Sequence, residues 1–85
     1  MIAAMLGDGI LKILNQNYPA LSVTEKRYRN LDLAFKTDSH GIPVLLFIGK
    51  KDASGKIKGE RYTRKITITS QGNTKDHWEH KGKAT

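Results

Sequence analysis

The chain has 85 residues, contains no cysteine and carries a formal net charge of +7. Its length fits a single domain with one core, and the absence of cysteine excludes disulfides, thiolate metal sites and a cysteine nucleophile. A hydrophobic content of 38% is that of an ordinary globular protein and argues against wholesale disorder. We therefore expect residues 1–85 to form one small domain.

The N-terminal segment predicts an amphipathic helix. Gly7 and Gly9 each weaken a helix interior by about 1 kcal/mol relative to alanine, so a shorter helix beginning at Gly9 and capped by Asp8 is the alternative. In either case we expect the helix to end at Tyr18-Pro19, because the residue before a proline avoids the α region. The apolar residues that recur at helical spacing are Ile2, Met5, Leu6, Ile10, Ile13 and Leu14.

The segment from Ala20 to Arg29 has two interpretations. Alternation of Leu21 and Val23 favours a strand, whereas Ser22-Val23-Thr24-Glu25 matches a capping box that would begin a second helix. We favour the strand.

The remainder of the chain predicts a β-meander. A central strand, Ile42–Gly49, is apolar on both faces and begins at Pro43, where a proline is tolerated. Because the connections are short, neighbouring strands should pair antiparallel, with the N-terminal helix packed on one face. The predicted fold is a two-layer α+β domain with four to five strands. The flanking strands are Leu31–Lys36, Gly59–Thr69 and Thr74–His80, followed by a flexible tail over residues 80–85.

No motif predicts catalysis or a cofactor. The sequence from Gly49 to Ile57 fails the phosphate-binding loop pattern, because its second glycine is one residue late and an isoleucine replaces the hydroxyl. Alternation along a strand would send His77 and His80 to opposite faces, which argues against a shared metal site. We therefore predict a non-enzymatic protein with no metal and no cofactor.

Charge is concentrated in the second half of the chain. Lysine and arginine exceed aspartate and glutamate by one up to Gly49 and by six from Lys50 onward. A solvated surface that keeps a small protein soluble is the commoner cause of such an asymmetry, and an anionic partner is the alternative. For an anionic partner, the candidate is nucleic acid or another polyanion bound by a basic β-hairpin. The predicted contact residues are Lys50, Lys51, Lys56, Lys58, Arg61, Arg64 and Lys65.

Part of the chain resembles a known family. A helix containing Ile10–Leu14 runs into Tyr18-Pro19, and the turn Asp38–Gly41 precedes a strand. This order is similar to the helix-then-sheet pattern of PepSY-like domains. The resemblance implies a small extracytoplasmic binding or inhibitory module. The N-terminal residues instead lack the basic start and long apolar middle of a signal peptide, which favours a cytoplasmic protein without a membrane anchor.

The central strand also predicts a second partner, because one helix shields only one face of a sheet. If the helix covers the face of Leu45 and Phe47, then Val44, Leu46 and Ile48 need another cover, and the converse holds if it covers the other face. The candidates for that cover are the Ala20–Arg29 segment, a second subunit and an apolar ligand. We hypothesise that Val44, Leu46 and Ile48 form a homodimer interface, since self-association is a common use of an uncovered apolar face. A structural or assembly role through this face is the alternative to polyanion binding.

Overall fold

The computed structural model describes residues 6–83. In that range a short helix is followed by five strands, which pair antiparallel in chain order with β3 at the centre. This arrangement confirms the predicted antiparallel sheet and its central strand. The fold is mostly β, because the helix has only seven residues. The elements are α1 (Asp8–Leu14), β1 (Val23–Tyr28), β2 (Leu31–Thr37), β3 (Pro43–Lys51), β4 (Ile57–Ile68) and β5 (Thr74–Lys83).

Helix α1 is shorter than its apolar pattern. It begins after the extended residue Gly7 and ends at Leu14, so the prediction that it continues to Tyr18-Pro19 is wrong. The Tyr18 hydroxyl donates a hydrogen bond of 2.6 Å to the Ile13 carbonyl in the last turn of α1, which also accepts the Gln16 backbone N–H over 3.4 Å. The predicted apolar positions Ile2 and Met5 lie outside the described residues.

The ambiguous segment is a strand, as favoured, and the capping-box helix is wrong. The Ser22 backbone N–H donates to the Thr37 hydroxyl over 3.0 Å, and that hydroxyl donates to the Pro19 carbonyl over 2.6 Å. Thr37 is buried, so these bonds fix the entry to β1 at the neighbouring strand. A contact 15 residues away in the sequence therefore outweighs the local capping signal.

The last strand is longer than its pattern indicates. β5 reaches Lys83, and Lys83 pairs with Glu60 of β4. The prediction of a flexible tail from residue 80 is therefore wrong for residues 80–83. Gly82 has φ +97° and lies where the register between β4 and β5 shifts. Glycine adopts this positive φ without strain, as it does in many β-bulges.

The two faces of the sheet differ in what covers them. On the first, here called the helix face, Leu6, Ile10 and Leu14 join one buried cluster with sheet residues of β2, β3 and β4. The sheet residues of the helix face in this cluster are Leu33, Phe35, Leu46, Ile48 and Tyr62.

The opposite face carries the alternate residues of β3, Leu45 and Phe47, which are only half-buried. The homodimer was predicted through Val44, Leu46 and Ile48, yet Leu46 is fully buried and Ile48 is 8% exposed. Both belong to the buried cluster that contains Leu6, Ile10 and Leu14, so they are not available as an interface and that choice of surface is wrong.

None of the described helices is long and apolar enough to cross a membrane.

Candidate polyanion-binding face

The predicted basic hairpin exists as β3, β4 and the turn between them. Asp52 organises the turn, because its Oδ1 atom accepts hydrogen bonds from the Ser54 hydroxyl, the Ser54 N–H and the Lys56 N–H at 2.7 to 3.0 Å. These bonds, led by the one from the Ser54 hydroxyl, lower the pKa of Asp52 below its ordinary value. The Asp52 carboxylate is therefore committed to shaping the turn.

Strand alternation distributes the hairpin's cations over both faces. Lys50 and Lys58 pair directly across β3 and β4, in the same alternation as the helix-face residues. Arg61 pairs with Phe47, and Lys65 lies four residues further along β4, so both belong to the opposite face. The predicted seven-residue set is therefore divided. Lys50 and Lys58 belong to the helix face, and Lys51, Arg61 and Lys65 to the opposite one. Lys56 is in the turn, and the Arg64 side chain is buried.

Arg64 does not belong to an exposed site, and its assignment to polyanion binding is corrected. Its side chain is 7% exposed. The guanidinium donates to both carboxylate oxygens of Asp76, from Nε over 2.8 Å and from Nη2 over 2.5 Å. It also donates to the Leu14 carbonyl over 3.2 Å, the Pro43 carbonyl over 3.3 Å and Asn15 Oδ1 over 3.0 Å.

These bonds give Arg64 a structural role at the end of α1. A cation beside the last carbonyls of a helix is favourable, because it offsets the negative end of the helix dipole and satisfies carbonyls that have no partner within the helix. The guanidinium carbon also lies 5.5 Å from the centre of the Trp78 ring. Arg64 thus ties α1, β4 and β5 together.

Asp76 makes the stability of this contact depend on pH. The hydrogen bonds from Arg64 lower the pKa of Asp76 below the ordinary aspartate value of about 3.9. A lowered pKa in the folded state means that the contribution is present above the unfolded pKa and is lost as pH falls through the folded one. We expect the urea midpoint to fall more steeply below about pH 4 in the wild type than in Asp76→Asn. Parallel pH curves for the two proteins would contradict this.

The face opposite α1 is here called the open face. It consists of side chains that the strand registers place side by side across the sheet. Phe47 lies between Ala34 of β2 and Arg61 of β4, and Leu45 lies between Lys36 and Thr63. Further along, Lys65 pairs with His77 and Thr67 with Lys75. The open face thus has an apolar centre on β3 bordered by cations.

Three carboxylates on the open face each have a cationic neighbour. Glu25 binds Lys51 with 2.7 Å between Oε1 and Nζ, and Glu79 binds Lys81 with 3.0 Å between the same atom types. Asp32 lies 3.8 Å from the guanidinium of Arg27. Four open-face cations form no ion pair with any carboxylate in the described part of the chain: Lys36, Arg61, Lys65 and Lys75.

Sequence reasoning missed Lys36, Lys75 and Phe47 as members of a site. They come from three strands, and only the pairing register brings them to one face with Arg61. The alternation of each strand was readable in advance. Only the register between strands, which the alternation of a single strand does not contain, places these residues on one face.

The Asp76–His80 segment is placed on β5, where alternation separates His77 from His80. His80 hydrogen-bonds Glu60, and its ring centre lies 5.1 Å from that of Tyr62. Within residues 6–83, no group of three or more histidine, aspartate or glutamate side chains is arranged to hold a metal ion.

An open groove of about 740 Å³ runs between the start of α1 and β5. Leu6, Leu11, Tyr62 and Trp78 contribute to its walls, and the Trp78 indole N–H is buried without a hydrogen-bond partner among the described residues. Because β5 is the edge strand, the groove lining also includes His77, Glu79 and Lys81 from the open face, but it contains none of the four unpaired cations.

Comparison of the chain with protein-family models, with curated proteins and with solved structures finds no match. The resemblance to PepSY-like domains therefore receives no support from these comparisons, and the function has to be argued from the geometry.

Proposed function

We propose that this protein is a non-enzymatic binding module that contacts a polyanion through the open face. The observation that carries the proposal is the group Lys36, Arg61, Lys65 and Lys75, which share one sheet face and lack ion-pair partners within residues 6–83. Cations brought together on one surface create a positive potential that attracts and holds a chain of negative charges.

Two-layer packing of α1 on the sheet supports this use of the open face, and we include it in the proposal. The buried cluster joins Leu6, Ile10 and Leu14 to the helix face, where Leu33 and Leu46 are fully buried. If α1 stays on that side, the open face is available to a ligand without any rearrangement of the core.

Self-association through the open face is the weaker alternative. A two-fold dimer places the same patch of each copy against itself, so Lys36, Arg61 and Lys65 of one copy would approach their equivalents in the other. Like charges at a desolvated interface are unfavourable, whereas a polyanion neutralises them. The charge of the open face thus favours a partner of opposite sign over a second copy of this chain.

The test is a salt-dependent titration with a fluorescently labelled single-stranded oligonucleotide. We expect binding at low salt that weakens steeply as salt is raised, because each neutralised phosphate releases counterions. The double variant Arg61→Gln/Lys65→Gln should lose affinity by about ten-fold or more. Its plot of log affinity against log salt concentration should have a slope smaller by up to about two, because each lost phosphate contact lowers the slope by about one.

The matched control is Lys50→Gln/Lys58→Gln, which removes the same charge from the same hairpin but from its other face. This variant should lose less affinity than the Arg61/Lys65 variant. Equal losses for the two pairs would show that only net charge matters, and no binding at low salt would refute polyanion binding altogether.

A further inference from the structure

We infer that the polyanion is single-stranded nucleic acid and that one of its bases stacks on Phe47. This inference rests on the proposed function and specifies its ligand. Phe47 lies at the centre of the open face, on the central strand, and is half-buried. Aromatic side chains within a basic sheet surface are stacking platforms for unpaired bases, and such stacking is tolerant of sequence because every base has a π-face.

The cross-strand neighbours of Phe47 differ in size and charge. Ala34 stands directly opposite on β2 and contributes only a methyl group, whereas Arg61 stands directly opposite on β4. Side chains at paired positions have Cβ atoms about 5 Å apart, so the Arg61 guanidinium can reach a phosphate next to a base stacked on Phe47. Phe47 thus offers a contact for a base, and Arg61 offers one for the adjacent phosphate of the nucleic acid.

The other cations continue the backbone contacts along β4 and β5. Lys65 follows Arg61 after four residues, a separation of about 13 Å along an extended strand. Lys75 lies further in the same direction, opposite Thr67. A line of cations beginning beside an aromatic ring matches an extended strand of phosphates that passes over the sheet.

Duplex nucleic acid and sulfated polysaccharide fit these residues less well. In a duplex the bases are stacked on each other, so their faces cannot lie on Phe47. A polysaccharide has no aromatic bases, and it would use the cations alone. Both ligands would leave the half-buried Phe47 ring without a function in binding.

The experiment compares Phe47→Leu with Phe47→Tyr. Leucine keeps an apolar side chain and removes the ring, whereas tyrosine keeps the ring. The probes are an oligothymidylate of about fifteen nucleotides, a duplex of the same length, and heparin. We expect Phe47→Leu to weaken oligothymidylate binding by at least about five-fold, and Phe47→Tyr to bind as the wild type does. Heparin binding should be the same for all three proteins.

Each result decides between the proposals. Equal weakening of heparin and oligothymidylate by Phe47→Leu, or no weakening of either, would overturn base stacking and leave polyanion binding intact. Tighter binding of the duplex than of the single strand would also overturn it. Absence of binding to all three probes at low salt would refute the proposed function itself. Sedimentation of the free proteins adds a last criterion: a wild-type dimer that Phe47→Leu dissociates would assign the open face to a second copy.

Discussion

Leu46→Asp is expected to unfold the domain. Leu46 is fully buried on the helix face, where the strand registers place it between Phe35 and Tyr62. Aspartate there would remove apolar contacts and bury a carboxylate that has no cationic partner, a combination that costs on the order of 5 kcal/mol. Domains have total stabilities of about 5 to 15 kcal/mol, and one of 85 residues lies towards the lower end because a small chain buries less surface, so most or all of the stability is lost. Far-UV circular dichroism during urea titration measures this directly.

The control for this variant is Leu45→Asp, the same substitution one residue earlier. Leu45 belongs to the open face and is half-buried, with Lys36 and Thr63 beside it on the neighbouring strands. Its carboxylate can reach water and a lysine, so we expect a loss of about 1 to 2 kcal/mol and a folded protein. Equal destabilisation by the two variants would contradict the assignment of the covered and open faces.

Arg64→Ala should have the second-largest effect, a loss of about 3 kcal/mol in the free energy of unfolding. The substitution leaves the Leu14 and Pro43 carbonyls without their side-chain donor and separates Asp76 from its partner. Asp76 is 40% exposed and recovers hydration, which keeps the loss below that of a fully buried ion pair. Chemical denaturation of both proteins at neutral pH provides the measurement.

Two further variants separate the role of Arg64 from its charge. Lys65→Ala removes the neighbouring cation on the open face and should change stability by less than about 0.5 kcal/mol. Arg64→Lys keeps the charge but has a single ammonium in place of the planar fork that reaches Asp76, Asn15 and two carbonyls. It should therefore recover only part of the loss. Full recovery by lysine would show that charge alone accounts for the effect.

The sequence was sufficient to predict the local structure because the period of the apolar residues is a local property. Alternation from Leu31 onward predicted the strands, and short turns predicted that neighbours pair in order. The boundaries were less accurate: the end of α1 and the end of β5 depend on Tyr18, Gly82 and the adjacent strand.

The tertiary structure decided which face of β3 is covered and, with it, the candidate site. Val44-Leu45-Leu46-Phe47-Ile48 is apolar on both faces, so its pattern contains no preference, whereas in the folded chain Leu46 and Ile48 share a buried cluster with Leu6, Ile10 and Leu14. Arg64 illustrates the same limit. The sequence shows one cation among seven in a basic hairpin, whereas the fold buries its guanidinium against the end of a helix 50 residues away. Partners that are distant in sequence determine whether a charge is structural or free to bind, and only the folded chain brings those partners together.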